Sequence, residues 1–158
     1  MLQSKFGICN FKMHVKIYTD GACRGNPGLG AWAALLYFQS IEKTVSGVSE
    51  DTTNNRMELM AAIEGLKALK RTCEVDLYTD SQYLRLGMTS WLAQWKKNGW
   101  KNSSRQPVKN IDLWQALDEL SKTHHIAWHW VKGHSGHPEN DRVDALANEA
   151  IDIYLKER

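Results

Sequence analysis

The sequence predicts an α/β protein: a five-stranded mixed sheet, three antiparallel strands then two parallel ones, flanked by helices. Three observations predict it. Short alternating or apolar runs come first in a group of three, helical periodicity begins only after them, and strands and helices then take turns. With 158 residues, 42% apolar and 24% charged, one domain is expected, with enough core to fold and too little net charge for a disordered chain.

The elements follow in order. Met1–Met13 has no period and reads as an N-terminal extension to a domain over residues 14–158. Val15–Ala22 alternates, with Val15, Ile17 and Thr19 on one face and Lys16, Tyr18 and Asp20 on the other. Arg24–Gly28 is dense in turn residues, and Gly30–Phe38 is apolar and short enough for a buried strand. Glu42–Val48 alternates again, completing a meander. Thr52–Asn55 supplies helix-start chemistry ahead of a stripe of Leu59, Ile63, Leu66 and Leu69, which leaves Glu58 in the first helical turn. Val75–Thr79 is the next strand, and a strand–helix–strand connection of this length favours parallel pairing. Short helical pieces are expected around Leu84–Gly87 and Trp91–Lys97. Ile111, Trp114, Leu117 and Leu120 then mark another helix. Ile126–Val131 is the last strand. The last helix opens at Pro138, a residue suited to a first turn, with Val143, Leu146, Ala147, Ala150, Ile151 and Tyr154 as its inner stripe.

Composition narrows the function classes. Cys9, Cys23 and Cys73 form no CxxC pair and lack metal-ligand spacing, so a disulfide scaffold or structural zinc site is not expected. No apolar run approaches the roughly 18 residues of a membrane helix, and the N-terminus lacks a signal-peptide core, so a cytoplasmic protein without membrane contact is expected. The net charge of +2 is unevenly spread. Between Asp80 and Asp112 there is no acid, while Arg85, Lys96, Lys97, Lys101, Arg105 and Lys109 supply six bases, leaving the rest of the chain net acidic.

The tripeptide Tyr-Thr-Asp occurs at Tyr18–Asp20 and again at Tyr78–Asp80, each time at a strand. If the two strands are parallel neighbours, the two acids come side by side, and Glu58 lies on the helix between them. Asp144 sits near the start of the last helix. Taken singly, each is an ordinary surface acid.

Five ordered motifs carry a resemblance. They are Tyr18–Gly28 (YTDGACRGNPG), Thr52–Ala62 (TTNNRMELMAA), Thr79–Tyr83 (TDSQY), Trp130–Asp141 (WVKGHSGHPEND) and Asp144–Ala147 (DALA). Over about residues 14–154 the chain resembles type 1 ribonuclease H, the bacterial ribonuclease HI group, whose fold agrees with the element order above. The resemblance implies that Asp20, Glu58, Asp80 and Asp144 bind metal, with His134 as an auxiliary catalytic group. Two unit charges 4 Å apart repel by about 4 kcal/mol at an effective dielectric of 20, so four clustered carboxylates call for neutralisation. Two divalent cations on oxygen-only ligands fit, Mg²⁺ first and Mn²⁺ as substitute.

The reaction implied is endonucleolytic hydrolysis of the RNA strand of an RNA/DNA hybrid by two-metal catalysis, leaving 5′-phosphate and 3′-hydroxyl ends. Telling RNA from DNA needs contacts to the 2′-hydroxyl. By resemblance these come from Cys23, Asn26, Asn54, Asn55 and Gln82, with Thr53 and Asn26 also at phosphate. Read without the family, Cys23 is a small packing residue and the Asn pair is helix-cap chemistry. The segment Trp91–Lys109 resembles the basic protrusion that grips the DNA strand. Trp91 then meets a deoxyribose face, Trp95 is a further substrate-binding residue, Lys96 and Lys97 meet phosphate, and Trp114 lines the same groove. The other reading of Trp91 and Trp95, at i and i+4, is the core face of a short helix. Two further readings are a strand-transferring enzyme of the same metal-dependent superfamily and a hybrid-binding module without catalysis. A monomer is expected, since no spare apolar helix stripe is evident.

Overall fold

The computed structural model describes residues 13–133 and 136–158. Most of the expected N-terminal extension, residues 1–12, lies outside the described residues, as does His134. Met13 is not part of an extension. It opens the first strand and pairs with Cys73.

The strands are β1 (Met13–Arg24), β2 (Gly28–Phe38), β3 (Ile41–Thr52), β4 (Cys73–Thr79) and β5 (His125–Trp130). The helices are α1 (Asn54–Lys67), α2 (Gln82–Leu86), α3 (Leu92–Lys97), α4 (Ile111–Thr123) and α5 (Pro138–Lys156), with one π-helical turn, Gly87–Trp91, joining α2 to α3. Sheet order is β3-β2-β1-β4-β5. β1, β2 and β3 pair antiparallel, while β4 is parallel to both β1 and β5. The expected mixed sheet is therefore the observed one. Each of the first four strands runs longer than its apolar alternation, because cross-strand pairing continues past the alternating residues.

Two apolar layers hold the sheet. On one side Val15, Ile17 and Leu77 pack with Leu59 and Leu66 of α1 and with Trp114 and Leu117 of α4, all buried. On the other, Ala31 and Ala33 of β2 meet Ala147 and Ile151 of α5, where small strand residues let the helix lie close. Among the described residues no helix is long and apolar enough to cross a membrane.

One buried polar contact gives a pH signature. The His124 ring, at the end of α4, accepts a hydrogen bond at Nδ1 from the Cys73 backbone N–H, 3.1 Å away, pinning the start of β4. Burial pushes the His124 pKa below its ordinary value. At this residue the unfolded chain thus binds more protons than the folded one just below the ordinary histidine pKa of about 6.5, and the stability that His124 contributes falls on acidification through that range. Between pH 7 and pH 5 the melting temperature of the unsubstituted protein is expected to drop relative to that of His124→Gln, which lacks this contribution. An equal slope in both proteins overturns this.

Candidate active site

Asp20 and Asp80 meet because β1 and β4 run parallel with Thr19 opposite Thr79, so the acid after each Tyr-Thr pair leaves the sheet beside the other. Glu58 arrives from α1, which passes close over β1 at Gly21. A Cβ on Gly21 would fall 2.6 Å from the Glu58 backbone nitrogen, so the helix comes this near only over a glycine. One carboxylate oxygen from each of Asp20, Glu58 and Asp80 lies within 4.8 Å of those of the other two. Asp144, in the second turn of α5, reaches Asp20 through charge and a side-chain hydrogen bond. The four acids named from sequence thus converge, three tightly and the fourth alongside Asp20.

Glu58 is not in the first turn of its helix. Thr53 is the cap, its hydroxyl accepting the Arg56 N–H at 3.2 Å, so the helix begins at Asn54 and Glu58 opens the second turn. Its carboxylate therefore lies past the free N–H groups of the helix start.

Electrostatics follow from this crowding. Asp20 is 3% exposed and its pKa is pushed up to about 9, by burial first and then by the charges of Asp80 and Asp144. The Gly21 N–H, 2.9 Å from Asp20 Oδ1, acts the other way. Glu58 is raised well above the carboxylate range by burial, then by Asp20 and Asp80. Its Oε1 is buried without a hydrogen-bond partner. An orphaned buried oxygen beside two further carboxylates, with only oxygen donors, fits a hard divalent cation.

The other sequence candidates surround this pocket unevenly. Asn26 Oδ1 accepts the Asn54 N–H at 3.1 Å, and the Cys23 thiol faces the Thr52 carbonyl at 3.4 Å, so the turn after β1 is tied to the start of α1. Asn54, Asn55 and Gln82 are exposed. Arg56 forks onto Asp112 at 2.8 and 3.1 Å, clamping the start of α1 to α4.

Trp91 and Trp95 are half-buried with ring centroids 5.8 Å apart, so they are at once packed and open to solvent. Trp114 is a correction. It has no exposed surface, its indole N–H donates to the Tyr83 hydroxyl at 3.2 Å, and its ring fills the space above Gly87, where a Cβ would lie 1.9 Å from it. It cannot line a groove. It is the floor against which Tyr83 and Trp95 pack in tilted contacts, with ring centroids 5.2 Å away in each case. Lys97 is exposed with no ion pair among the described residues, whereas Lys96 Nζ lies 3.1 Å from Asp118 Oδ1.

Two residues assigned no role from sequence adjoin the acids. The Trp130 indole N–H donates to the Asp80 carbonyl at 3.2 Å, and a Cβ on Gly133 would lie 3.0 Å from Asp80 Oδ2. Both fall inside the Trp130–Asp141 motif, but only the β4–β5 pairing reveals that this motif abuts Asp80.

Comparison with known proteins agrees with this geometry. The RNase H family model matches residues 12–152. Ribonuclease H of Legionella pneumophila (strain Corby) is 65% identical over 140 residues, covering 89% of this chain and 98% of that protein. Among solved structures, LC9-RNase H1, a type 1 RNase H with the type 2 active-site motif, is similar with a TM-score of 0.82 at 32% identity, covering 89% of this chain and 73% of that one. LC11-RNase H1, solved in complex with RNA/DNA hybrid, shares the fold at a TM-score of 0.70 and 23% identity, over 89% of this chain and 99% of that one. With a family model spanning nearly the whole domain and a relative this similar, the chain belongs to the RNase H family and is a ribonuclease H enzyme.

Proposed function

We propose that this enzyme hydrolyses the RNA strand of RNA/DNA hybrids endonucleolytically with two Mg²⁺ ions, Mn²⁺ substituting, and leaves 5′-phosphate and 3′-hydroxyl ends. The observation that carries the reading is the clustered triplet of buried Asp20, buried Glu58 and half-buried Asp80, with a Glu58 oxygen lacking any partner. Asp20, Glu58, Asp80 and Asp144 would hold the cations. When bound, these supply Lewis acidity toward the attacking water and the departing 3′-oxygen.

The chain's own groups do the rest. Burial of Asp20 and Glu58 keeps the site poor in water, so charge contacts there count for more than at the surface. The Asn26–Asn54 bridge presents amides and backbone beside Glu58, where a 2′-hydroxyl is read, with Cys23, Asn55 and Gln82 at the same rim and Thr53 and Asn26 toward phosphate. His134 moves a proton or assists product release, work that an imidazole side chain can do near neutral pH. Trp91 and Trp95 offer ring faces to the deoxyribose backbone, and the basic stretch that includes Lys97 meets its phosphates. The enzyme acts as a cytoplasmic monomer.

The test is cleavage of matched RNA/DNA hybrid, double-stranded RNA and double-stranded DNA, each with Mg²⁺ or with chelator. Only hybrid with Mg²⁺ is expected to be cut, with products that ligase accepts without prior phosphorylation. Joining of DNA ends would favour the strand-transfer reading, and binding without cleavage the hybrid-binding module.

A further inference from the structure

Among the described residues three carboxylates are buried: Asp20, Glu58 and Asp118. The first two belong to the acidic pocket. Asp118 does not. It sits in α4 beneath the basic segment, with its side chain 10% exposed, and it is held by two cations: Lys96 Nζ from α3 at 3.1 Å and Lys122 Nζ from the next turn of α4 at 3.8 Å. A buried acid keeps its charge only where a partner is supplied, and here the partner comes from the segment read as the DNA grip. The neighbouring bases Lys97, Lys101, Arg105 and Lys109 have no such partner among the described residues.

We propose that Asp118 withdraws Lys96 from phosphate binding and uses it as a strut that fixes α3 on α4, so that Lys97 and the Trp91–Trp95 face are presented to the DNA strand. Lys96 and Asp118 are thus positioning residues, and adjacent lysines in one helix do unlike work. Three arrangements support this. The Lys96–Asp118 pair ties α3 to α4 one helical turn along α4 from the Trp95–Trp114 contact, so α3 is held at two points. The helix is only six residues long and is preceded by a π-helical turn rather than a capped start, so its orientation depends on such ties. And Lys97, one residue on, is exposed and carries no ion pair among the described residues, whereas Lys96, also exposed, is paired.

The inference rests on the reading of this segment as the DNA grip, and its test separates the two. Steady-state hydrolysis of a short hybrid is measured with Mg²⁺ across a series of KCl concentrations, and log KM is plotted against log salt. Each phosphate contact contributes a slope of about 0.9 on a B-form duplex, so Lys97→Met is expected to flatten the line by about one unit. Lys96→Met is expected to keep the wild-type slope while raising KM by about threefold at every salt concentration, the loss of a partly exposed ion pair, with kcat unchanged and Lys96→Arg restoring KM. Asp118→Asn frees Lys96 and steepens the slope by about one unit. If Lys96→Met flattens the line as Lys97→Met does, Lys96 is itself a phosphate ligand and the strut is overturned while the grip stands. If neither lysine changes the slope, grip and strut fall together. The lysine pair decides the matter even if Asp118→Asn does not fold.

Discussion

Asp80→Asn is expected to lower kcat on RNA/DNA hybrid by about a thousandfold at saturating Mg²⁺, the loss of several kcal/mol of transition-state charge stabilisation at tenfold per 1.36 kcal/mol. KM should change little, because the grip on the duplex lies in other elements. The same substitution is expected to raise, or leave unchanged, the melting temperature measured in chelator. Asp80 presses on Asp20 and Glu58 as a like charge, raising both pKa values, and an uncharged amide of the same shape removes that pressure. The backbone at Asp80 stays anchored through its carbonyl to the Trp130 indole. Steady-state kinetics and a thermal melt on one preparation check both halves. Retention of activity within tenfold, or a markedly lower melting temperature in chelator, would sink the assignment of Asp80 as a functional rather than a structural acid.

The parts of this site that sequence makes legible are those written in local period and short motifs. The repeated Tyr-Thr-Asp places two acids at strand ends, and a strand–helix–strand link predicts the parallel neighbours that bring them together, as the Thr19–Thr79 register bears out. What is not legible depends on partners distant in the chain. The sequence offers two readings of Trp114, a member of the Ile111–Leu120 stripe and, by resemblance, a groove residue. The stripe is the correct one, because Gly87 leaves a hole that only a large ring fills. Lys96 and Lys97 look alike in sequence and differ only through Asp118, 22 residues on from Lys96. The close passage of α1 over Gly21 is likewise invisible, since a glycine after an aspartate reads first as a turn.

The acidic pocket also predicts how stability depends jointly on pH and divalent cation. With no cation bound, Asp20 has a folded pKa of about 9 against an ordinary value of 3.8, and Glu58 is raised as well, so the folded chain holds more protons than the unfolded one across that interval. Stability contributed by these protonated acids is complete below the ordinary carboxylate pKa and is lost as pH rises toward the folded value. The window that isolates the effect is pH 7 to 8.5. Above pH 7 His124 is largely neutral in both states, and the thiols of Cys23 and Cys73, both raised by burial, add to the same fall only toward the top of the window, so the Asp20→Asn comparison separates the carboxylate part. In chelator, the melting temperature is therefore expected to fall from pH 7 to 8.5. Mg²⁺ at about a hundredfold over its dissociation constant adds about 2.7 kcal/mol, or roughly 5–10 °C for a domain of this size, and the increment grows with pH because fewer protons must be displaced. Asp20→Asn should flatten the slope in chelator and shrink the Mg²⁺ increment together, since one carboxylate underlies both. A cation increment that is constant with pH, or a melting temperature in chelator that rises across this window, would show that the carboxylates do not share a proton-holding pocket.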